Sequence, residues 1–283
     1  MAELIDGKLV STKIREKIAA DVADFKREFN IIPGLAVIIV GENPASMVYV
    51  RNKHKACIEA GMNSIEVKLP EQTPEEELLS KIDELNQDPA VHGILVQLPL
   101  PKHINETRVI NRISPEKDVD AFHPVNVGKI TIGNYNLLPC TPAGVMDLID
   151  YYNVELSGKR AVVIGRSNIV GKPMALLLLE RNATVTVCHS RTPDISEYTK
   201  NADVIVVAVG RPYFLTGDMV KQGAVVIYVG INRLDNGKLA GDADFESVSK
   251  VASLITPVPG GVGPMTITML MQNTLTSAKN SVK

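Results

Sequence analysis

The stretch that decides the fold is VVIGRSNIVGKPMALLLLERNATVTVCHSRT, residues 162–192. An apolar strand ends on Gly165, and a turn leads to Gly171. A helix follows through PMALLLLERN, and a second strand, ATVTVCH, runs out into CHSRT. A glycine turn opening a helix gathers free N–H groups and the positive end of a helix dipole at one point, which favours a phosphate. The usual dinucleotide turn reads GxGxxG, and its middle glycine lets backbone approach the pyrophosphate. Here Ser167 stands near that place, and the gap between the outer glycines is one residue longer. The pyrophosphate is therefore expected further out, with Ser167 or Arg166 filling the gap. The second strand lacks the acid that commonly binds a ribose 2′-hydroxyl. No acid appears until Asp194, whereas Arg166, Ser190 and Arg191 offer donors suited to a 2′-phosphate. The pattern favours NADP over NAD. A plain strand–helix connection with solvated arginines is its alternative.

Working outward, ADVIVVAVG, GAVVIYVGI and SLITPV extend the alternation toward the C-terminus, and RAVVIG opens it. Continuous apolar runs of this kind suit strands buried on both faces. A similar alternation precedes them. Ile14, Ile18, Val22, Phe25 and Phe29 recur at helical spacing and predict an amphipathic helix over 11–29. LAVIIV predicts a strand, with Asn43 a candidate N-cap and Pro44 at the first position of the next helix, which runs to Gly61. SIEVKL, TPEEELLSKIDELNQ and VHGILVQLPLP continue as strand, helix and strand. The fold class is α/β, with parallel, doubly wound sheets. The pattern loosens after Lys102, and TPAGVMDLIDYYNV resumes as a helix able to bridge two domains.

Composition excludes several classes. A chain of 283 residues suits two moderate domains, and 45% hydrophobic with 22% charged residues is an ordinary globular balance. A net charge of −2 argues against a nucleic-acid partner. Cys57, Cys140 and Cys188 form no metal-ligand spacing, so no metal is expected and the thiols read as reduced. The charged N-terminal helix is unlike a signal peptide, and no apolar stretch is long enough to span a bilayer. The expected protein is soluble and cytoplasmic, with no membrane partner.

Polar residues in the first half point to a second site. Tyr49 and Lys53 lie four apart on one helix face, which Ser46 shares. Gln97 ends the run GILVQ, where open α/β sheets bind ligands. PEKDVDAF sets Asp118 and Asp120 two apart, on one side if extended. Taken singly, each also fits a plain part: a solvated lysine, a strand-ending glutamine, loop or cap acids. TPVPGGVGPMT, with three prolines and three glycines, makes a shaped backbone-rich loop before the last helix. It suits either closure over a flat ligand or a simple connection.

Together YVRNKHKAC, GILVQLPLP, PEKDVDAFHPVNVG, PCTPAG, GRSNIVGKP, CHSRT and TPVPGGVGPMT, in this order, resemble the bifunctional methylenetetrahydrofolate dehydrogenase/methenyltetrahydrofolate cyclohydrolase family. The resemblance covers essentially the whole chain. It implies an N-terminal α/β catalytic domain over residues 1–139, completed by a C-terminal helix at 265–283. It also implies an NADP-binding Rossmann domain over 140–264, a folate cleft between the two, and a homodimer. The implied substrates are tetrahydrofolate derivatives and the implied cofactor is NADP. By the same resemblance Lys53 is the catalytic lysine, Tyr49 its partner, Gln97 its hydrogen-bonding glutamine and Asp120 the acid that holds the pterin ring. Gly165, Arg166, Ser167, Ser190 and Ile231 match the cofactor contacts, with Thr141 near the nicotinamide end. Pro259, Gly260 and Gly261 belong to the loop near the folate. Two positions depart from the family pattern: Ala121 stands where glycine is usual, and Tyr228 where an acid is usual. The first is expected to shift Asp120 slightly, the second to alter the nicotinamide-side wall. The alternatives are a shikimate-dehydrogenase-like oxidoreductase, an NADP-binding regulatory module and a monofunctional dehydrogenase.

Overall fold

The computed structural model describes the backbone of residues 1–283 and every side chain except those of Pro44 and Ala45. In chain order the elements are β1 (Glu3–Leu4), α1 (Gly7–Phe29), β2 (Gly34–Val40), α2 (Pro44–Glu59), β3 (Asn63–Leu69), α3 (Glu75–Gln87), β4 (Gly93–Val96), α4 (Glu106–Arg112) and α5 (Pro124–Thr131). They continue as α6 (Cys140–Tyr151), β5 (Arg160–Ile164), α7 (Gly171–Glu180), β6 (Thr184–Cys188), α8 (Ser196–Thr199), β7 (Val204–Val207) and β8 (Val225–Tyr228). The last are β9 (Ile231–Arg233), β10 (Leu239–Gly241), α9 (Phe245–Val248), β11 (Leu254–Ile255) and α10 (Val262–Ser281). The chain divides into two units, Lys13–Cys140 with Ile267–Lys283, and Met1–Thr12 with Thr141–Thr266.

In the unit that holds Lys13–Cys140, β2 is central in a parallel three-stranded sheet of order β3-β2-β4. All seven residues of β2 are buried, as its unbroken apolar run requires. Asn43 caps α2: its side-chain oxygen accepts the Ser46 N–H at 3.1 Å, satisfying a donor that the first turn leaves free. The apolar stripe of α3, Leu78, Leu79, Ile82 and Leu85, packs into a core with Ile38 and Ile94. The last helix joins this unit through polar ties. Arg15 Nε donates to Thr268 Oγ1 at 2.9 Å, and Lys279 lies 3.6 Å from Asp21.

The other unit carries a fully parallel six-stranded sheet of order β1-β11-β8-β7-β5-β6. After β5 the chain adds β6 on one side and then β7 on the other, so the sheet changes direction at β5. In open α/β sheets the crevice at the carboxyl ends of such strands is where ligands bind.

The N-terminal boundary differs from the expected 1–139. Glu3 and Leu4 pair with Leu254 and Ile255 as an edge strand, which draws Met1–Thr12 into the second unit. α1 accordingly begins at Gly7, one turn earlier than its apolar period suggested.

Candidate functional site

Lys53 is the one member of the basic run Arg51–Lys55 that turns inward. Its neighbours Arg51, His54 and Lys55 are exposed, whereas Lys53 is 8% exposed. The reason is helical phase: Ser46, Val50, Lys53 and Cys57 form one buried stripe of α2. Burial pushes the Lys53 amine below the ordinary lysine range, because the low-dielectric surroundings disfavour its charged form. The negative charge of Asp120 opposes that shift.

Gln97 directly follows β4, where its N–H donates to the Ile38 carbonyl at 2.8 Å and fixes its backbone against β2. Its side-chain nitrogen donates to Leu98 O at 2.7 Å, which leaves Oε1 to accept from Lys53 Nζ at 3.0 Å. Asp120 retains some accessible surface, yet its carboxyl is packed deeply enough for burial to raise its pKa, with Lys53 pulling the other way. A hydrogen bond joins it to Cys140.

Asp118 is spent differently from Asp120. It accepts the His123 N–H at 2.8 Å and Asn126 Nδ2 at 2.9 Å, so it braces the turn into α5. Ala121 follows Asp120 in the left-handed region, with φ 55°, and donates its N–H to Asp118 O at 3.0 Å. That conformation explains why glycine suits this place. Lys53, Gln97 and Asp120 are therefore brought together. Tyr49 lies one turn before Lys53 but is 44% exposed, and among the described residues no hydrogen bond ties it to Lys53 or Gln97.

In the other unit Ile164 and Cys188 are register partners of β5 and β6, so the residues that follow leave the sheet side by side. Gly165 has φ 129°, and a Cβ there would meet Ala208 O at 2.4 Å; a Cβ on Gly171 would meet Gly165 O at 2.3 Å. Only glycine fits such close backbone approaches. Ser167 Oγ accepts the N–H groups of Val170 and Gly171 at 3.2 and 3.3 Å, taking up donors of the α7 N-terminus. Arg166, Ser190 and Arg191 are exposed beside it. The CHSRT loop is held by His189, whose N–H donates to Thr192 Oγ1 at 3.0 Å and whose Nδ1 accepts from Arg191 N at 3.1 Å. Asp194, the nearest acid, is turned to the backbone and hydroxyl of Ser196. These residues fit a phosphorylated ribose.

The remaining expected contacts lie in the same unit. Ile231 opens β9 with 38% of its surface exposed. The Thr141 and Thr266 hydroxyls are 3.0 Å apart. Pro259 follows a cis peptide, Gly260 O accepts the Lys8 N–H at 3.1 Å, and Gly261 is buried. Tyr228 departs from expectation. It is 2% exposed in the sheet core with Val226 and Ile255, its ring close against Gly241, and so offers almost no surface to a ligand. Its phenol is pushed up by burial.

The sequence reading missed three polar anchors. Asp242 accepts the N–H groups of Val209, Gly210 and Arg211 at 3.0, 3.2 and 3.0 Å. Cys140 and Asn273 flank the Asp120 segment. GDAD around Asp242 offered a faint signal of an acid in an irregular stretch. Cys140 and Asn273 gave none, since their partners are distant in sequence.

A buried lysine joined to a half-buried glutamine and aspartate on one α/β unit, and a glycine turn at the switch point of a second, define a two-domain nicotinamide-nucleotide enzyme. Residues 5–120 match the tetrahydrofolate dehydrogenase/cyclohydrolase catalytic domain, and residues 139–282 its NAD(P)-binding domain. The chain belongs to the tetrahydrofolate dehydrogenase/cyclohydrolase family. It is 62% identical over 282 residues to the bifunctional protein FolD of Acetivibrio thermocellus, covering 100% of this chain and 99% of that one. The crystal structure of the bifunctional FolD of Campylobacter jejuni superimposes with TM-score 0.97 at 54% identity, over 99% of this chain and 100% of that one. The Trypanosoma brucei FolD, complexed with NADP cofactor and an inhibitor, does so with TM-score 0.96 at 43% identity, over 100% and 99%. Identity at this level over the full length sets aside the shikimate-dehydrogenase-like alternative. Among the described residues, no helix is long and apolar enough to cross a membrane.

Proposed function

We infer that this enzyme oxidises 5,10-methylenetetrahydrofolate with NADP⁺ and hydrolyses the methenyl product to 10-formyltetrahydrofolate. The observation that carries the reading is the buried Lys53 amine, held by Gln97 at 3.0 Å and facing the charge of Asp120. NADP⁺, when bound, accepts the hydride from the folate methylene carbon. Gly165, Arg166, Ser167 and Ser190 hold its phosphates, with Ile231 and Thr141 toward the nicotinamide. The exposed Arg166 and Ser190, and the engaged Asp194, support NADP over NAD.

Asp120 holds the pterin ring, and the loop Pro259–Gly261 borders the folate. Hydrolysis requires proton transfers as water adds to the methenyl carbon and one C–N bond opens. Burial disfavours the charged form of the Lys53 amine and so eases loss of its proton, which suits it to move protons in this step. Gln97 fixes the direction of the amine, and Tyr49 positions the substrate from the next turn of α2. The enzyme acts as a cytoplasmic homodimer.

The test is reduction of NADP⁺ and, separately, NAD⁺ by methylenetetrahydrofolate, followed by decay of added methenyltetrahydrofolate. Both activities are expected, with preference for NADP⁺. Lys53→Met is expected to abolish hydrolysis, and full retention would remove Lys53 from the mechanism. Asp120→Ala is expected to weaken folate binding far more than NADP binding, and equal losses in the two titrations would count against its role.

A further inference from the structure

Asn273 sits on α10 and is 6% exposed. Its Nδ2 donates to Val119 O at 2.8 Å and to Leu138 O at 2.7 Å. Val119 immediately precedes Asp120, and Leu138 lies two residues before Cys140. The Cys140 thiol donates to the same Val119 carbonyl at 3.3 Å and stands 3.7 Å from Asn273 Nδ2. One buried amide thus ties the Asp120 and Cys140 segments to the last helix. That amide does not titrate in the neutral range, and it donates to two main-chain oxygens, so it does no acid–base work itself.

We propose that Asn273 is a positioning residue for Asp120, fixing the peptide before it so that the carboxylate keeps its place opposite Lys53 and against the substrate ring. The proposal rests on the roles given to Lys53 and Asp120 above. Asp120 lies outside any helix or strand, between Val119 and the left-handed Ala121. On its C-terminal side the Ala121 N–H bond to Asp118 O restrains the turn, and on its N-terminal side Asn273 does. The interaction of two charges falls with their separation, so drift of this segment changes the field at Lys53. The groups that face Lys53 are Asp120, Cys140 and Cys57. Burial raises both thiols, Cys57 to about 12, and of these three groups Asp120 acts most strongly on Lys53. A displacement on the order of 1 Å at a catalytic group lowers rates about 100-fold, so even partial slackening is measurable.

The experiment compares the parent with Asn273→Ala and the milder Asn273→Ser, which retains one donor and guards against misfolding. Three quantities are read: KM for methylenetetrahydrofolate, KM for NADP⁺, and the pH profile of methenyl hydrolysis. In Asn273→Ala the folate KM is expected to rise about tenfold or more, with the NADP⁺ KM within about twofold of the parent. The acidic limb of hydrolysis, set by loss of the Lys53 proton, is expected to move to lower pH, because Lys53 loses part of the field that raises its pKa. Asn273→Ser is expected to fall between. In an Asp120→Asn background, Asn273→Ala should add no further shift. A lower melting temperature with unchanged folate KM and pH profile overturns the proposal, as does a shift that persists in the Asp120→Asn background. If Lys53→Met retains full hydrolysis, the underlying site assignment fails instead, whatever the Asn273 variants do.

Discussion

Lys53 owes its burial to its phase on a helix. In a run of basic residues, the one on the apolar stripe of α2 loses water and its pKa falls, while its neighbours remain solvated. Arginine at that position would retain the charge but could not give up a proton, since a guanidinium is not deprotonated in proteins. Lys53→Arg is expected to lower methenyl hydrolysis by about 100-fold or more, the usual contribution of a general acid–base group. Near-parental turnover would show that positive charge alone suffices. Ala121 makes a complementary point about backbone. Ala121 is fully buried at φ 55°, a conformation that penalises larger and branched side chains. In Ala121→Gly, relief of about 1–2 kcal/mol of left-handed strain is offset by chain entropy and a lost buried methyl. Its stability is expected within about 1 kcal/mol of the parent. Ala121→Val is expected to destabilise by about 2–4 kcal/mol, combining strain with overpacking. Urea unfolding distinguishes the two, and a tolerated valine would refute the account.

At the scale of elements, the Gly165–Gly171 turn and the Asp242 anchor show what local sequence reveals. Glycine spacing, an apolar strand and the lack of an early acid identified the β5–α7–β6 unit from residues 162–192, and the structure adds the close contacts at Gly165 and Gly171 that make those glycines necessary. Replacing Arg166 and Ser190 together by alanine is expected to raise the NADP⁺ KM about 10- to 100-fold, the range of a lost charge-assisted hydrogen bond, while NAD⁺ changes little. Equal effects on the two cofactors would remove the 2′-phosphate from that corner. The hairpin β9–β10 was not read from the sequence, although its turn carries Asp235–Asn236–Gly237, with Gly237 at φ 79°. β1 was not legible, because two exposed residues carry no periodicity. Asp242 was hidden for a different reason. Its carboxylate meets the amides of residues 209–211 from more than 30 positions away, so only the folded chain shows that it holds the loop after β7 to the hairpin strand through Asn232. Truncating it to alanine leaves three part-buried backbone donors without their acceptor and is expected to cost about 1–3 kcal/mol. Asp242→Asn, which retains one acceptor, is expected to cost less in the same denaturation assay.

At the scale of the whole molecule, alternating strands and helices were readable because parallel sheets bury continuous apolar runs, whereas the assignment of the chain ends depends on pairing that no local pattern encodes. The same distinction separates Lys53 and Gln97, placed by local phase and strand ends, from Asn273, whose partners lie 154 and 135 residues away. Global stability carries a further cost at a position outside either candidate site. Asp147 on α6 is largely buried, and burial, reinforced by Asp150 and opposed by Arg181, raises its pKa from 3.8 to about 6. A carboxyl whose folded pKa exceeds its unfolded value favours folding when protonated. Its favourable contribution is complete below about 3.8 and is lost as pH rises through about 6. At neutral pH the ionised group therefore opposes folding by about 2–3 kcal/mol, the free energy of a shift near two units. Asp147→Asn retains the shape without the charge. It is expected to exceed the parent in stability by that amount at pH 7–8, with the difference shrinking toward pH 4. Paired denaturation curves across this range measure the difference directly, and a gap that stays constant with pH would mean that Asp147 does not titrate against burial.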